Sequence, residues 1–466
     1  MTNELMSQVD KLDRSKPPRP KPPKDLIFPD YFDTTLQNGL NLLVIENNKI
    51  PSVSIRLVFK NAGSFRDSGV PGIASVTAEL LTKGTHTRNA LQIADDVDFY
   101  GASLSSGSDW DGSYVTLSSL KKHLDKVIDV LFDVVLNPEF SQDELDRLKE
   151  QRISSIIHGK SEPSVLSDRL FNKIVFGEHP YSQPSEGTEE SVKNMTREQI
   201  IEFYKKYYNP QNLIIAFVGS INKDEAMKIL NDKFQTWSNN GTITDNFNPE
   251  IKTEFAPKRV YIADKPEAVQ SNLRIGHIGI SRNNPDFIAV TVMNTILGGY
   301  FGSRINYNLR EKHGYTYGAR SGFSARLFPG DFSVDTDVRN EVTDSSITLI
   351  IEELKRIISE EVTDEELQLV KNYLTGIFPL QLETANAVAT RVINLKLYGL
   401  PKEYYSTYIS SINRLTKEDI FNTAKKYIRP DSIYIVLSGN SKAIKDKLKK
   451  FGEVLVFDAD GKQIDN

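Results

Sequence analysis

The sequence contains no cysteine and only six histidines among its 466 residues. Without cysteine there can be no disulfide, no thiolate metal ligand and no thiol nucleophile. The histidines that are closest in the chain, His158 and His179, are too far apart to share a turn of one helix. A pair of histidines at the His-x₃-His spacing of a helical zinc site is therefore absent. The remaining histidines are His86, His123, His277 and His313.

Long apolar runs and an excess of positive charge are also missing. The formal net charge is −5, so a basic face for nucleic acid or an anionic membrane is not expected. No stretch approaches 18 consecutive apolar residues, which argues against a membrane-spanning helix. The N-terminus has no apolar core of a signal peptide, and its acidic residues Glu4, Asp10 and Asp13 are unlike a transit peptide. We therefore expect a cytoplasmic protein that binds neither nucleic acid nor membrane.

Strand and helix patterns begin after a Pro- and Lys-rich arm at residues 1–29. Asn38-Gly39 in TTLQNGLNLLVIENN predicts a hairpin, and SVSIRLVF (52–59) alternates as a half-buried strand does. A helix is predicted from Pro71, which suits a first helical turn. YVTLSSL predicts a strand, and KKHLDKVIDVLFDVVL (121–136) predicts an amphipathic helix.

The chain repeats itself about 220 residues apart. KKYYNPQNLIIAFVG at 205 matches KKYIRPDSIYIVLSG at 425, and TREQI at 196 matches TKEDI at 416. FSQDELDRLK at 140 also matches VTDEELQLVK at 362, and both of these openings contain Ser/Thr-x-x-Glu, the capping-box start of a helix. Three matched segments in one order indicate an internal duplication.

The duplication predicts an α+β fold of two homologous α/β-sandwich lobes that form a clamshell around a central cavity. The Asn/Thr/Gly-rich stretch SNNGTITDNFNPEIKTEF (238–255) has no helical periodicity and contains the expected linker. The predicted divisions are an arm at 1–29, an N-terminal lobe at 30–240, a linker at 241–255 and a C-terminal lobe at 256–466.

Residues 72–85, GIASVTAELLTKGT, form the most informative helical stretch in the first half. By residue type alone it is a helix whose Ile73, Val76, Leu80 and Leu81 face a core. Ser75 and Glu79 are one turn apart and share a face. A catalytic zinc helix needs two nitrogen ligands at this spacing and a carboxylate that activates water, which Ser and Glu do not supply.

The same stretch resembles the inverted zinc motif H-x-x-E-H of the pitrilysin/insulinase metallopeptidases, in their bacterial processing-peptidase-like branch. The resemblance implies that Ser75 and Glu79 replace the two zinc-binding histidines and that Ala78 replaces the catalytic glutamate. Ser155, in FSQDELDRLKEQRISSI, then replaces the third ligand, a glutamate. We expect no metal and no catalytic residue on this chain, and no cofactor of its own.

The sequence allowed one other pair of possible metal ligands. His158 lies one turn beyond Ser155 on the same expected helix, so it could face Glu79 across the helix interface. Two ligands make a poor zinc site, and a solvated histidine at a helix end is the commoner arrangement.

The second half keeps a different part of the resemblance. Residues 296–320 read ILGGYFGSRINYNLREKHGYTYGAR, which is similar to the family segment that carries an Arg/Tyr substrate pair. The resemblance implies that Arg310 and Tyr317 bind substrate. By residue type alone, Arg310 could instead pair with Glu311 or another acid, and Tyr317 could pack at a helix end.

Two functions follow from this pattern. The resemblance implies a non-catalytic, peptide-substrate-binding subunit that completes a zinc metallopeptidase with a homologous zinc-bearing partner, as a heterodimer. The alternative is a free-standing inactive homologue, alone or self-associated, that acts as a peptide-binding or scaffold protein. A serine hydrolase is not indicated, because Ser75 does not lie in a Gly-x-Ser-x-Gly turn.

Overall fold

A computed structural model describes residues 28–67, 69–234, 237, 247, 249–251 and 259–464. Nearly all of the predicted arm (1–29) and most of the predicted linker (241–255) lie outside these residues. The proposed divisions between arm, lobes and linker therefore stay predictions. Within the described ranges, none of the helices combines the length and the apolar character that a membrane crossing requires.

The described chain forms twelve strands and sixteen α-helices. The strands are β1 (Phe32–Thr35), β2 (Asn41–Glu46), β3 (Ser52–Phe59), β4 (Ser103–Ser108), β5 (Ser113–Leu120), β6 (Leu213–Gly219), β7 (Arg259–Asp264), β8 (Gln270–Ile278), β9 (Ala319–Phe323), β10 (Asp331–Arg339), β11 (Tyr434–Gly439) and β12 (Glu453–Phe457). The helices of the first half are α1 (Ile73–Leu80), α2 (Ala90–Asp98), α3 (Leu124–Leu136), α4 (Gln142–Gly159), α5 (Pro163–Phe176), α6 (Glu189–Asn194), α7 (Arg197–Tyr207) and α8 (Lys223–Phe234).

The helices of the second half are α9 (Phe287–Asn294), α10 (Arg304–Asn306), α11 (Thr343–Ser359), α12 (Asp364–Leu380), α13 (Ala385–Leu397), α14 (Tyr408–Arg414), α15 (Lys417–Tyr427) and α16 (Ser441–Leu448). Two π-helical segments interrupt the region between α9 and β9, and we call them π1 (Thr295–Gly299) and π2 (Tyr307–Lys312). In a π-helix the backbone bonds reach one residue further than in an α-helix, and such segments are rare and frequently occur at functional sites.

The strands form two six-stranded sheets that share the arrangement of five strands. The first has the order β1-β2-β6-β3-β5-β4, and the second has the order β12-β7-β11-β8-β10-β9. In each sheet the late strand, β6 or β11, is parallel to one neighbour and antiparallel to the other. The two sheets differ at one edge, because β1 is antiparallel to β2 whereas β12 is parallel to β7. The predicted α+β fold with two homologous lobes is confirmed.

The repeated segments occupy equivalent places in the two lobes. Thr196 and Thr416 begin α7 and α15 with complete capping boxes. Ser141 caps α4 with a single bond from the backbone N–H of Glu144, whose side chain instead binds Arg147. The capping box predicted for α4 is therefore only half formed.

The helix predicted from Pro71 begins two residues later. Gly72 is the N-cap, with a φ of 90°, and Ile73 is the first helical residue. The carboxylate of Asp67 accepts hydrogen bonds from the backbone N–H groups of Gly72 (2.7 Å) and Ala74 (3.1 Å). Pro71 thus lies outside the first turn, because a left-handed glycine and an acidic side chain begin this helix instead.

Each lobe places one helix on the sheet of the other lobe. Helix α5, from the first half, packs on β7, β8 and β11, and α13, from the second half, packs on β3 and β6. The two mixed apolar clusters include Leu43, Val58, Ile214, Val392 and Ile393 on one side, and Leu166, Phe171, Tyr261, Ile278 and Val436 on the other. The lobes are therefore joined through two shared cores.

This exchange overturns the prediction that β3 is half-buried. Ser54 and Val58, on the face expected to meet solvent, are only 2% and 5% exposed. Val58 packs in one cluster with Val392 and Ile393 of α13. The outer face of β3 is buried because a helix from the distant half of the chain covers it.

A buried carboxylate also ties the two lobes together. Asp111, between β4 and β5, accepts hydrogen bonds from the hydroxyls of Tyr181 (2.8 Å) and Tyr398 (3.0 Å) and from the backbone N–H of Leu327 (3.0 Å). Tyr398 and Leu327 belong to the second half. Burial, with repulsion from the neighbouring Asp109, raises the pKa of Asp111 to about 6.

We expect Ile393→Ala to destabilise both lobes together. Ile393 is 1% exposed, and truncating a buried isoleucine typically costs about 2–5 kcal/mol of unfolding free energy. Both tryptophans, Trp110 and Trp237, lie in the first half. In urea unfolding, their fluorescence transition should shift as much as the transition in circular dichroism.

The matched control is Leu369→Ala, since Leu369 is 49% exposed on α12 of the same half. That variant should leave both transitions near the wild-type position. A fluorescence transition that stays at the wild-type urea concentration in Ile393→Ala would contradict the shared core.

A second prediction concerns pH. A carboxyl whose pKa rises on folding holds its proton more tightly in the folded state, so its contribution to stability is greatest below the unfolded pKa of 3.8. That contribution is lost as the pH rises through about 6. The unfolding free energy of the wild type relative to Asp111→Asn should therefore fall by up to about 3 kcal/mol across this window. Urea titrations at several pH values measure it, and a difference that stays constant with pH would refute the assignment.

Candidate functional site

Helix α1 is buried on nearly all sides. Ile73, Val76, Leu80 and Leu81 belong to the core of the first lobe, as the sequence predicted. Ser75, Thr77 and Ala78 are buried as well, because α4 and α7 pack against the other side of the helix. Glu79 is the one residue of α1 that is not buried.

Ser75 and Glu79 do meet on one face of α1, and a third residue joins them. Arg152, on α4, donates from Nη1 to Ser75 Oγ at 3.1 Å and from Nη2 to Glu79 Oε1. The Arg152 side chain is only 12% exposed, whereas that of Glu79 is 36% exposed. A guanidinium therefore lies between the two helices at the positions where the resemblance implies a metal.

The sequence interpretation placed the third position at Ser155 and did not identify Arg152. Ser155 is exposed and lies one turn beyond Arg152 on α4. One signal was available, since Glu79 is the only charged residue of α1 and a carboxylate beside a packed helix favours a cation on that helix. The contact partner of Glu79 is thus Arg152, and the possible partner His158 is exposed near the end of α4.

This group of side chains does not fit zinc. A zinc site needs lone pairs from imidazole, thiolate or carboxylate, and a guanidinium has none to offer. Its fixed positive charge would also repel a divalent cation at the same place. Ala78, at the expected position of the general base, carries no titratable group. No step of metal catalysis can therefore be assigned to these residues.

Possible metal ligands elsewhere in the described ranges are also not grouped into a site. Among the residues that the structure describes, no three His, Asp or Glu side chains are grouped so that they could hold a metal ion. His179 and His277, the two most buried histidines, both have their pKa lowered to about 4 by burial. His179 Nδ1 accepts from the backbone N–H of Tyr181, so it is bound within the core.

The second candidate site lies on π2 and the turn after it. Arg310, on π2, donates from Nη1 to Glu311 Oε1 at 2.7 Å, and its guanidinium lies 4.5 Å from the ring centroid of Phe301. The side chain of Tyr317 is 93% exposed. Pairing of Arg310 with Glu311, one of the two alternatives, is thus observed, whereas packing of Tyr317 at a helix end is wrong.

Little free energy is needed to break the contacts that Arg310 makes with Glu311 and Phe301. Its side chain is 33% exposed and that of Glu311 is 50% exposed. Exposed ion pairs contribute about 0–1 kcal/mol, and an exposed cation–π contact contributes about 0.5–1 kcal/mol. Releasing Arg310 from both contacts therefore costs about 0.5–2 kcal/mol, which a single new charge-assisted hydrogen bond can offset.

The backbone around Tyr317 is fixed although its ring is exposed. Thr316 Oγ1 accepts from the backbone N–H of Gly318 at 3.0 Å, and Thr336 Oγ1 donates to Gly318 O at 3.0 Å. A second bond at 2.9 Å joins the two threonine hydroxyls. Hydrogen bonds on either side thus anchor Tyr317 to β10, and its hydroxyl projects from a rigid turn.

The structure does not join the two candidate sites directly. Ser75, Glu79 and Arg152 belong to helices of the first half, and Arg310 and Tyr317 belong to the second half. Within the described residues, no hydrogen bond or ion pair connects one group to the other. Arg310 and Tyr317 therefore form a group of side chains separate from Ser75, Glu79 and Arg152.

Comparison with known proteins places both halves in one family. The family model described as "Insulinase (Peptidase family M16)" matches residues 42–189. The model described as "Peptidase M16 inactive domain" matches residues 194–374. Between them the two models span α1, α4, Arg310 and Tyr317.

Individual relatives agree with the family models. A Helicobacter pylori protein named "Non-peptidase homolog YmxG" is 25% identical over 411 residues, covering 86% of this chain and 92% of that protein. A Bacillus subtilis protein named "Uncharacterized zinc protease YmxG" is 24% identical over 405 residues, covering 87% and 97%. The solved structure of a peptidase M16 inactive domain from Pseudomonas fluorescens superposes with a TM-score of 0.82 at 27% identity, covering 88% of this chain and 98% of that one.

We expect the purified chain to bind no stoichiometric zinc, and we expect Arg152 to block any simple repair. The fourfold variant Ser75→His, Ala78→Glu, Glu79→His and Ser155→Glu restores the motif but leaves the guanidinium between the helices. Metal analysis should find well below one zinc per chain in this variant and roughly one after Arg152→Ala is added. Full zinc occupancy with Arg152 still present would contradict the blocking role.

Folding must be verified separately, because Ala78 is fully buried. Arg152→Ala alone provides the control, since it removes the cation from a partly buried pair and should lower the melting temperature. Arg147→Ala, on the same helix with a side chain 53% exposed, should lower it much less. Equal effects of the two variants would argue against a structural role for the Arg152–Glu79 pair.

Proposed function

The chain belongs to the insulinase (M16) family of peptidases, and we propose that it is a non-catalytic subunit of a zinc metallopeptidase. Ser75 and Glu79 occupy the zinc-motif positions of that family, and both of them bind Arg152. In this proposal the chain binds the peptide substrate and presents it to a homologous partner that carries the zinc. The observation that carries the proposal is the contrast between the two sites. Arg152 fills the first, whereas Arg310 and Tyr317 remain exposed at the second.

The chemistry of the exposed pair supports peptide binding. A guanidinium offers a planar fork of N–H donors, and a phenol offers one O–H donor. Two such groups can hold the carbonyl oxygens of an extended peptide and can stabilise negative charge that develops on one of them. The partner's zinc would supply the polarised carbonyl and the activated water, and this chain would supply orientation.

The weak contacts of Arg310 fit a group that exchanges partners. Its ion pair with Glu311 shields the charge in the free chain, and a substrate carbonyl can replace the ion pair and the contact with Phe301 at a cost of about 0.5–2 kcal/mol. Tyr317 needs no such release, because its hydroxyl already projects from a fixed turn.

Two relatives also support a role without autonomous catalysis. The H. pylori relative is named a non-peptidase homologue, and the solved P. fluorescens neighbour is described as an inactive domain. Carried over to this chain, those descriptions favour a subunit that lacks its own peptidase activity. A free-standing peptide-binding or scaffold protein is the alternative that the experiment below must separate.

In a complex purified through this chain from its native source, Arg310→Ala and Tyr317→Phe should each lower the peptidase rate by roughly 10²–10³. The reason is that a positioned donor in a water-poor site contributes about 2–4 kcal/mol to transition-state stabilisation. Assembly and zinc content should be unchanged, since neither residue would touch the metal. Peptide hydrolysis, size-exclusion chromatography and metal analysis measure the three quantities.

Matched controls come from elsewhere in the second half. Arg414→Ala removes an exposed arginine at the end of α14, and Tyr373→Phe removes the hydroxyl of a tyrosine that is 40% exposed on α12. Both should retain full activity. Glu311→Gln should retain or raise activity, because it frees Arg310. Full activity of Arg310→Ala and Tyr317→Phe would reject the clamp, and a chain that co-purifies with no zinc-bearing homologue would favour the scaffold alternative.

A further inference from the structure

An exposed phenylalanine lies directly beside Arg310 in the second lobe. Phe301 follows π1, and it is 69% exposed. It belongs to none of the four apolar clusters that the described residues form. The neighbouring Tyr300, in contrast, packs against the core of that lobe, and its ring centroid lies 5.5 Å from that of Tyr373. Packing in a core therefore does not explain the position of the Phe301 ring.

The backbone that carries Phe301 is tied to the backbone that carries Tyr317. Asn306 is buried, and its Nδ2 donates to Phe301 O at 2.6 Å. The Oδ1 atom of the same side chain accepts from the backbone N–H of Ala319 at 2.9 Å. Ala319 is the first residue of β9 and lies two positions after Tyr317. One buried amide thus joins the two segments, and Phe301 projects from an anchored backbone.

The ring of Phe301 also contacts the arginine of the proposed peptide site. The guanidinium carbon of Arg310 lies 4.5 Å from the centroid of this ring. A peptide carbonyl oxygen that accepts from the guanidinium lies about 2.9 Å from the donor nitrogen. The side chains on either side of that carbonyl begin within about 4 Å of its oxygen, as standard bond lengths require. One of these side chains can therefore reach the exposed ring.

The chemistry around the ring distinguishes between the possible side chains. An apolar side chain gains free energy by covering the ring, and an aromatic one gains more through offset or edge-to-face contact. Segment π2 carries Arg310, Glu311 and Lys312, two positive charges and one negative, so it does not attract a lysine or arginine of the peptide. A carboxylate would lose hydration against the ring and would compete with the peptide carbonyl for Arg310. An apolar or aromatic side chain is thus favoured.

We propose that Phe301 forms a subsite for an apolar side chain of the peptide, next to the carbonyl that Arg310 binds. This inference rests on the proposed peptide-binding role and makes that role more specific. Its substrates are peptides with a large apolar residue, such as phenylalanine or leucine, adjacent to the bound carbonyl. Single exposed apolar residues are common on protein surfaces, and the contact with Arg310 is what distinguishes Phe301 from the others.

The test compares alanine heptapeptides whose central residue is phenylalanine, leucine, alanine, lysine or aspartate. The single variable side chain sets the register of each peptide on the protein. Isothermal titration with the isolated full chain measures binding, and kcat/KM with the complex purified through this chain measures hydrolysis. The phenylalanine and leucine peptides should exceed the alanine peptide by at least about tenfold in affinity and in kcat/KM, because only they cover the ring.

Variants locate the subsite. Phe301→Ala should abolish the preference for phenylalanine over alanine while the alanine peptide itself is bound as before, because its carbonyl still meets Arg310. Phe301→Leu keeps an apolar surface and should retain most of the preference. Both variants should fold normally, since the ring lies outside the cores. The matched control is Phe99→Ala, which removes another exposed phenylalanine from the first half and should retain the full preference.

Equal values for the phenylalanine and alanine peptides in the wild type, or a preference that persists in Phe301→Ala, would overturn the subsite. A preference for aspartate over phenylalanine would overturn it too, since that side chain would pair with Arg310 itself. Absence of both binding and hydrolysis with every peptide would have the same consequence. The proposed function fails by a different result, because full activity of Arg310→Ala and Tyr317→Phe rejects the clamp whatever preference Phe301 confers.

Discussion

The exchange of helices between the lobes is the constraint on which the rest of the structure depends. All seven residues of β6 are buried, which requires a cover on both faces of the first sheet. Helices of the first half supply one cover, and α13 of the second half supplies the other. Helix α5 does the same for the second sheet. Each sheet therefore depends on residues from both halves of the chain for one of its covers.

The sequence predicted the parts of this fold that are local or repeated. The hairpin at Asn38-Gly39, the strand at 52–59 and the capping box at Thr363 depend on residues close in the chain, and all three are present. The burial of Ser54 was not predictable, because the helix that covers it lies more than three hundred residues away. Periodicity reports which residues are apolar but does not report which distant element will meet them.

The same limit explains the outcome at the candidate sites. Ser75 and Glu79 were correctly placed on one face, because their spacing is a property of one helix. Arg152 was missed because alignment to a motif fixes only backbone positions. The long side chain of Arg152 starts on another helix, and its conformation decides where the charge lies. Pairing of Arg310 with Glu311 was one of two open alternatives, and choosing between them needed the side-chain geometry.

An arginine between α1 and α4 also changes what holds those helices together. A bound metal leaves when its ligands are protonated or when free metal is scarce, and the helices it joins then lose that link. A guanidinium is covalently attached to α4 and cannot leave the protein. The contact between Arg152 and Glu79 thus joins α1 and α4 without any dependence on the supply of metal.

The helix exchange also determines when the first sheet is covered during synthesis on the ribosome. The first sheet is complete once Gly219 has been added, but the helix that covers its outer face begins only at Ala385, 166 residues later (385 minus 219). At about 5–20 residues per second, that interval lasts roughly 8–33 seconds. Throughout it, Leu43, Ile45 and Val218 lack their eventual cover on a growing chain. The duplicated fold therefore leaves one face of its first sheet without apolar cover for most of the synthesis of its second half.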